Sequence, residues 1–182
     1  MKQLALALAL AGTCALTTFA APAGALETFA ARAAATDASI QARSDFLETF
    51  GPRDLKPGAY VWRDVPAGAG EERVVVSLGD QMAYLYRGNV LVAASTISSG
   101  KPGNDTPSGI FQVHTKKAMH HSRKYDNAPM PFAQFFDDYG IALHAGNIPG
   151  RPASHGCVRL PKQFAQKLFG TTDVGTTVYI GA

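Results

Sequence analysis

The chain has 182 residues, with 17 Lys and Arg against 14 Asp and Glu, a formal net charge of +3 and 46% hydrophobic residues. That length supports one sizeable hydrophobic core. The mild positive balance, without a basic cluster interleaved with aromatics, excludes a nucleic-acid-binding role, and no segment after the N-terminus has the ~20 continuous apolar residues of a membrane span.

The start reads as a cleavable export signal over residues 1–25: a basic Met1-Lys2-Gln3, an apolar stretch over 4–11, then small residues. Ala23-Gly24-Ala25 offers an A-x-A cleavage site, with Thr18-Phe19-Ala20 as an earlier one. Gly12, Thr13, Thr17 and Thr18 interrupt the apolar run, which argues against an anchor. Thr13 is unsuited to precede a lipidated Cys14. The expected product is an exported protein, periplasmic or wall-associated, with no transmembrane segment after cleavage.

Residues 26–58 are Ala-rich, with Phe29, Ile40, Phe46, Leu47 and Phe50 spread among polar positions. This predicts one or two short helices, loosely attached, with Asp37 as N-cap. Gly51-Pro52 and Lys56-Pro57-Gly58 break that pattern. Tyr60-Val61-Trp62 reads as a short strand, and residues 66–70 as a loop before a main domain over 72–181. There Val74–Leu78 and Met82–Tyr86 flank a Gly79-Asp80 turn, and Arg87-Gly88-Asn89 turns into a strand over 90–97. Further strands are expected over 110–114, 140–144 and 177–180. Residues 162–169 carry Phe164, Leu168 and Phe169 at helical spacing and read as one short helix. The fold class is therefore mainly β, closed or sandwich-like, with little helix.

Cys157 stands in Ser154-His155-Gly156-Cys157-Val158-Arg159, with His144 upstream. With Cys14 removed in the signal, the mature chain would hold one thiol without a partner, which an exported protein normally avoids. Flanked by Ser, His, Gly and Arg, it reads as a nucleophile rather than a small buried hydrophobe. A nearby imidazole can take the thiol proton and, as imidazolium, stabilise the thiolate. His155 is badly placed for this, two residues away on the same turn, whereas His144 reaches from a neighbouring strand and is assigned as the base. His155 is assigned to shaping the turn. Gly156 permits a tight turn whose backbone N–H groups can form an oxyanion nest. Arg159 either anchors a substrate carboxylate or braces a loop through an ion pair. The histidines His114, His120, His121, His144 and His155 supply donors, yet no H-E-x-x-H or C-x-x-C spacing is present. No metal or other cofactor is expected.

The run from Ser154 to Arg159, preceded by Leu143-His144, resembles the signature of the L,D-transpeptidases, the YkuD-type catalytic domain that remodels bacterial peptidoglycan. Val76-Ser77-Leu78 with Gln81, Ser98-Ser99-Gly100 and Thr106-Pro107-Ser108-Gly109-Ile110-Phe111 agree in order. Asn127-Ala128-Pro129-Met130-Pro131 and residues 144–150 are similar to exported proteobacterial members, and the likeness runs from about Tyr60 to Ile180. The resemblance implies a β-sandwich or barrel-like catalytic domain with Cys157 as nucleophile and His144 as proton donor and acceptor. The Ala145 carbonyl would orient His144, and the N–H groups of Gly156 and Cys157 would form the oxyanion hole. Ser154, His155, Arg159 and Met130 would contact substrate. The implied activity is 3→3 cross-linking of peptidoglycan stem peptides, or attachment of a protein to a stem, with an outer-membrane protein as one possible acceptor. The alternatives are an L,D-carboxypeptidase or stem-peptide hydrolase using the same acyl-enzyme, and a catalytically silent wall-binding module. Two departures stand out. The His144-to-Cys157 separation is shorter than in many members, implying a trimmed groove loop, and Ala145 stands where Gly or Ser is common.

Overall fold

Val74, Val75 and Val76 are all buried, which a strand accepts only when both of its faces are covered. The computed structural model describes residues 26–182 apart from Ala67 and Ala69, and it shows both covers. The export signal expected over residues 1–25, with its cleavage sites and Cys14, lies outside the described residues. Strands β1 (Tyr60–Trp62), β2 (Glu72–Ser77), β3 (Met82–Arg87), β4 (Val90–Thr96), β5 (Gly109–Gln112) and β10 (Thr177–Gly181) form a six-stranded sheet ordered β1-β4-β3-β2-β10-β5. Strands β6 (Thr115–Ser122), β7 (Ala128–Phe135), β8 (Ala142–Ala145) and β9 (Val158–Leu160) form a second sheet in sequence order.

Val74, Val76, Ala83, Leu85 and Ile180 turn inward to meet Leu143, Val158 and Leu160 of the second sheet. Helix α2 (Lys162–Thr171) adds Phe164, Ala165 and Leu168 to this core. The alternate residues Val75, Tyr84 and Tyr86 face the other way, onto Ala42 and Phe46 of helix α1 (Phe29–Phe50). The fold is thus a β-sandwich with a helix laid across its outer face. Among the described residues no helix is long and apolar enough to cross a membrane.

Helix α1 differs from the expected loose segment. Its buried stripe is Ala31, Ala35, Ser39, Ala42 and Phe46, at helical spacing and mostly small, so its backbone closes onto the sheet. The approach is tight enough that a Cβ on Gly181 would lie 2.6 Å from the Ala35 carbonyl oxygen. Tyr86 donates to Asp45 at 2.6 Å, tying the two layers by a polar contact. Thr28 supplies the N-cap, accepting from the Ala31 N–H at 3.2 Å. Asp37 is therefore corrected from N-cap to an exposed position inside one continuous helix. The Ala-rich run from residue 29 has high helix propensity and no breaker before Gly51.

Strands β6, β7 and β9 were not anticipated. β6 lacks apolar alternation, being Thr-Lys-Lys-Ala-Met-His-His-Ser. β7 contains Pro129 and Pro131, which argue against a strand. They are tolerated because β8 meets β7 only at Gln134 and Phe135; beyond that point one edge of β7 faces no strand, and a missing N–H costs nothing there. The β6–β7 hairpin closes on Asp126 (φ 46°) and Asn127 (φ 54°), with Ala128 N–H donating to the Tyr125 carbonyl at 2.8 Å. This is the left-handed pair of a tight hairpin turn, which Asp and Asn tolerate. Lys116 of β6 donates to the Phe169 and Thr172 carbonyls at the end of α2 and anchors the hairpin's base.

The packing of α1 yields a direct test. Phe46→Ala should lower stability by about 3–5 kcal/mol, read by urea denaturation. A loss under ~1 kcal/mol would show that the helix is dispensable to the core.

Candidate active site

β8 and β9 run parallel, with Leu143 opposite Val158, His144 opposite Arg159 and Ala145 opposite Leu160. Leu143, Ala145, Val158 and Leu160 point into the inter-sheet core. Strand alternation therefore turns His144, Arg159 and, one step before β9, Cys157 onto the opposite face. In that register Cys157 follows on opposite Ala142, so His144 is its diagonal neighbour on the same face. Both residues border one cavity of about 550 Å³, together with Met130, Ala145, Ser154, His155 and Arg159. The structure thus gathers every site residue expected from sequence around one space, with Gly156 buried in the turn behind it.

That turn is held from several sides. Gly156 has φ 113°, and a Cβ there would lie 2.8 Å from Ile141 Cδ1, so both backbone and space require glycine. The buried Ser154 hydroxyl donates to the Cys157 carbonyl and accepts from the Gly156 N–H at 3.1 Å. Thr106 donates to the Gly156 carbonyl at 2.7 Å and accepts from the Gly100 N–H at 2.9 Å. The Ser99 carbonyl accepts from Ala153 and Ser154, both at 3.0 Å, and the Gln81 amide grips the Ser99 hydroxyl at 2.8 Å and its N–H at 3.1 Å. Ser154 therefore acts on the turn. The Gly156 N–H is engaged with Ser154 Oγ, so it serves an oxyanion only by sharing that hydrogen.

His144 Nδ1 lies 2.9 Å from the Ala145 carbonyl oxygen. A carbonyl only accepts, so Nδ1 carries the proton and Nε2 keeps a lone pair. Burial pushes His144 down to about 4; the Ala145 contact opposes this, while the Arg159 and His120 charges add to it. The Cys157 thiol packs on Met130, Ala133, Phe135 and Ala142, with Sγ 3.9 Å from the Gly140 carbonyl. Burial pushes this thiol up, and Asp137 adds to the rise, whereas the Ala142 backbone and Arg159 oppose it. Burial thus works against the charged form of both groups, favouring neutral thiol and neutral imidazole over the thiolate and imidazolium expected from sequence.

His155 is exposed and its ring stacks on Tyr125, 4.5 Å between centroids at 21°. This contact straps the hairpin tip to the turn beside Cys157. The Arg159 backbone exchanges two 3.0 Å hydrogen bonds with Ser98, and its methylenes cover Gly146, where a Cβ would be 2.9 Å away. Among the described residues Arg159 makes no ion pair, which leaves the guanidinium open to the cavity. Tyr125, Asn147 and Lys162 also line that space; Tyr125 and Lys162 lie on a hairpin and a helix without a motif, and Asn147 sits in the family-like stretch 144–150 but was given no role from sequence. A second cavity of about 530 Å³ meets the first at Ser122, Tyr125, Met130, His155 and Cys157. Among the described residues no three His, Cys, Asp or Glu side chains gather as a metal site would require.

Two measurements check these proton positions. Iodoacetamide alkylation of Cys157 should keep accelerating with pH to beyond the ordinary thiol range, whereas a plateau below about pH 7 would reveal a resting ion pair. The His144 pKa of about 4 lies below the ordinary 6.5, so within that window the unfolded chain binds the extra proton and stability falls as pH falls. The loss is on the order of 3 kcal/mol. Urea denaturation should therefore show wild type losing its margin relative to His144→Gln between those pH values; parallel profiles would place a charged or exposed imidazole there.

Comparison with known proteins places this site in a family. A family model of the L,D-transpeptidase catalytic domain, YkuD, matches residues 71–180. The crystal structure of an L,D-transpeptidase from Xylanimonas cellulosilytica is 27% identical, with a TM-score of 0.56, covering 65% of this chain and 64% of that one. One from Stackebrandtia nassauensis is 24% identical with a TM-score of 0.59, covering 76% and 65%. L,D-transpeptidase 3 from Mycobacterium tuberculosis, in complex with a faropenem-derived adduct, is 18% identical with a TM-score of 0.57, covering 62% and 60%; at the identities of these last two, the likeness is one of fold. The chain thus spans just under two thirds of the length of these solved structures. No curated protein matches it. With the family match covering more than half of its length, the chain belongs to the YkuD-type L,D-transpeptidase catalytic domain family.

Proposed function

We propose that the protein is an exported peptidoglycan L,D-transpeptidase working through a thioester on Cys157. The observation that carries this reading is a free thiol and an oriented imidazole on the same face of two parallel strands, opening into one cavity. The donor is a tetrapeptide stem whose third residue is acylated onto Sγ. As Sγ attacks that carbonyl carbon, its proton passes to His144 Nε2. The oxyanion is met by the Cys157 N–H and, through a shared hydrogen, the Gly156 N–H. The C–N bond then breaks, and terminal D-Ala leaves with the proton from His144.

The thioester is resolved by an amine that His144 deprotonates, which restores the thiol and forms a 3→3 amide. The exchange conserves acyl energy, so no nucleotide is consumed. D-Ala leaves as an amine beside a carboxylate. The D-centre of a diaminopimelate side chain arrives as the same arrangement, and by microscopic reversibility it uses the same subsite. Arg159, free of protein carboxylates, is positioned to hold that carboxylate. An amine of an outer-membrane protein would enter by the same side.

The deciding experiment incubates disaccharide-tetrapeptide with the wild-type protein and with Cys157→Ala, and reads the products by mass spectrometry. Cross-linked dimers formed with loss of D-Ala, absent in the variant, are expected. Tripeptide monomers alone would identify a carboxypeptidase, and product from Cys157→Ala would overturn the nucleophile. A carbapenem should add its mass to the wild type and leave Cys157→Ala unchanged.

A further inference from the structure

Cys157 borders both cavities, whereas His144 borders only the first. In acyl exchange run by one base, the departing amine and the arriving amine trade a proton with the same imidazole. Both must therefore occupy the His144 side. The acyl part of the donor, attached to Sγ, is left with the other side.

That other side has a distinct chemistry. Lys117, Arg123 and Lys124 line the second cavity, with His114 and His120 beside them, and among the described residues none of its walls is Asp or Glu. None of the three strong cations is in a salt bridge among the described residues. Lys117 lies with its Nζ 5.9 Å from the Phe135 ring centroid, and Lys124 with its Nζ 5.4 Å from that of Tyr125, so apolar walls hold both arms. The nearby buried carboxylate, Asp137, accepts at Oδ1 from the N–H groups of Tyr139 and Ile141, at 3.1 and 2.6 Å, and forms no salt bridge with these cations among the described residues. A cavity walled by unpaired cations focuses positive potential on whatever enters it.

We infer that the second cavity is the acyl-donor subsite, and that it selects a peptide bearing carboxylates on its acyl side, recognised by Lys117, Arg123 and Lys124. This rests on the acyl-transfer reading of Cys157. The hairpin strand β6 thereby acquires a role in choosing the donor, separate from the role of Arg159 towards the amine.

The test uses the full chain carrying Cys157→Ala, so that binding is read without turnover. Calorimetry compares a tetrapeptide stem whose non-terminal carboxylates are free against the same stem with those carboxylates amidated. The acidic stem should bind about tenfold tighter at low salt, as expected for three exposed charge contacts. The advantage should vanish at about 0.5 M salt and with Lys117→Gln, Arg123→Gln and Lys124→Gln combined, and persist in Arg53→Gln. In the active protein the triple variant should raise KM for the donor stem while leaving KM for a free D-amino-acid acceptor. Equal affinity for the acidic and amidated stems would overturn the assignment, and so would an equal rise in both KM values. Charge-dependent binding without any release of D-Ala would overturn the acyl-transfer reading while the anionic-peptide site stands.

Discussion

The site depends on one constraint, the parallel pairing of β8 with β9. Parallel strands need a long connection, and residues 146–157 provide it as a loop that leaves β8 beside the cavity and returns through the Gly156 turn. The register is set by the core, since Leu143 and Val158 must both face inward. A slip of one residue would turn His144 into the core cluster of Leu85 and Phe164 and bring Leu143 round to the thiol's face, exchanging the two sides of a strand buried on both. The hydrophobic effect thus places the imidazole on the thiol's face before any polar contact acts.

The second layer of control is polar and lies behind the turn. Thr106, Ser99 and Gln81 bond mainly to backbone around residues 98–101 and 153–156, and their side chains are not among those lining the main cavity. They fix where Cys157 sits, while the face they leave open is free to vary. Pro129 and Pro131 complete this division by keeping one edge of β7 from pairing, so that a groove is preserved where a sheet would otherwise extend.

Much of this was legible in the sequence, for identifiable reasons. The strands β2, β3, β4 and β10 are apolar runs between turn residues, and the catalytic turn is a compact local motif. Val74-Val75-Val76 also carried a signal that was not used: a strand apolar at successive positions requires a cover on each face, and the Ala-rich segment upstream was the available cover. The position of α1 was obscured because its buried stripe is alanine and serine, whereas Phe29 and Ile40, its most conspicuous apolar residues, point to solvent. The β6–β7 hairpin was hidden by charge on one strand and prolines on the other. Its cationic wall becomes visible only in the structure, where Lys117 of β6 and Arg123 and Lys124 just beyond it line one cavity.

The bias of Cys157 and His144 towards their neutral forms follows from the same packing. The apolar bed of Met130, Ala133, Phe135 and Ala142 that seats the thiol also removes the water a thiolate would need. The layer that buries His144 removes the water an imidazolium would need. A standing thiolate reacts with oxidants and stray electrophiles, a liability in the oxidising compartment proposed for this chain. Keeping both groups neutral protects the thiol, and the fixed Nδ1 contact keeps Nε2 ready as a base over the physiological range. In the proposed mechanism, chemistry would then wait for a substrate. Only when a carbonyl presents an oxyanion to the turn, in a groove already lined by Arg159 and the hairpin cations, is charge separation between Sγ and Nε2 compensated. Under the proposed mechanism, selectivity and protection would arise from one device: the burial that holds the thiol quiet would also make its activation depend on the substrate's own charge.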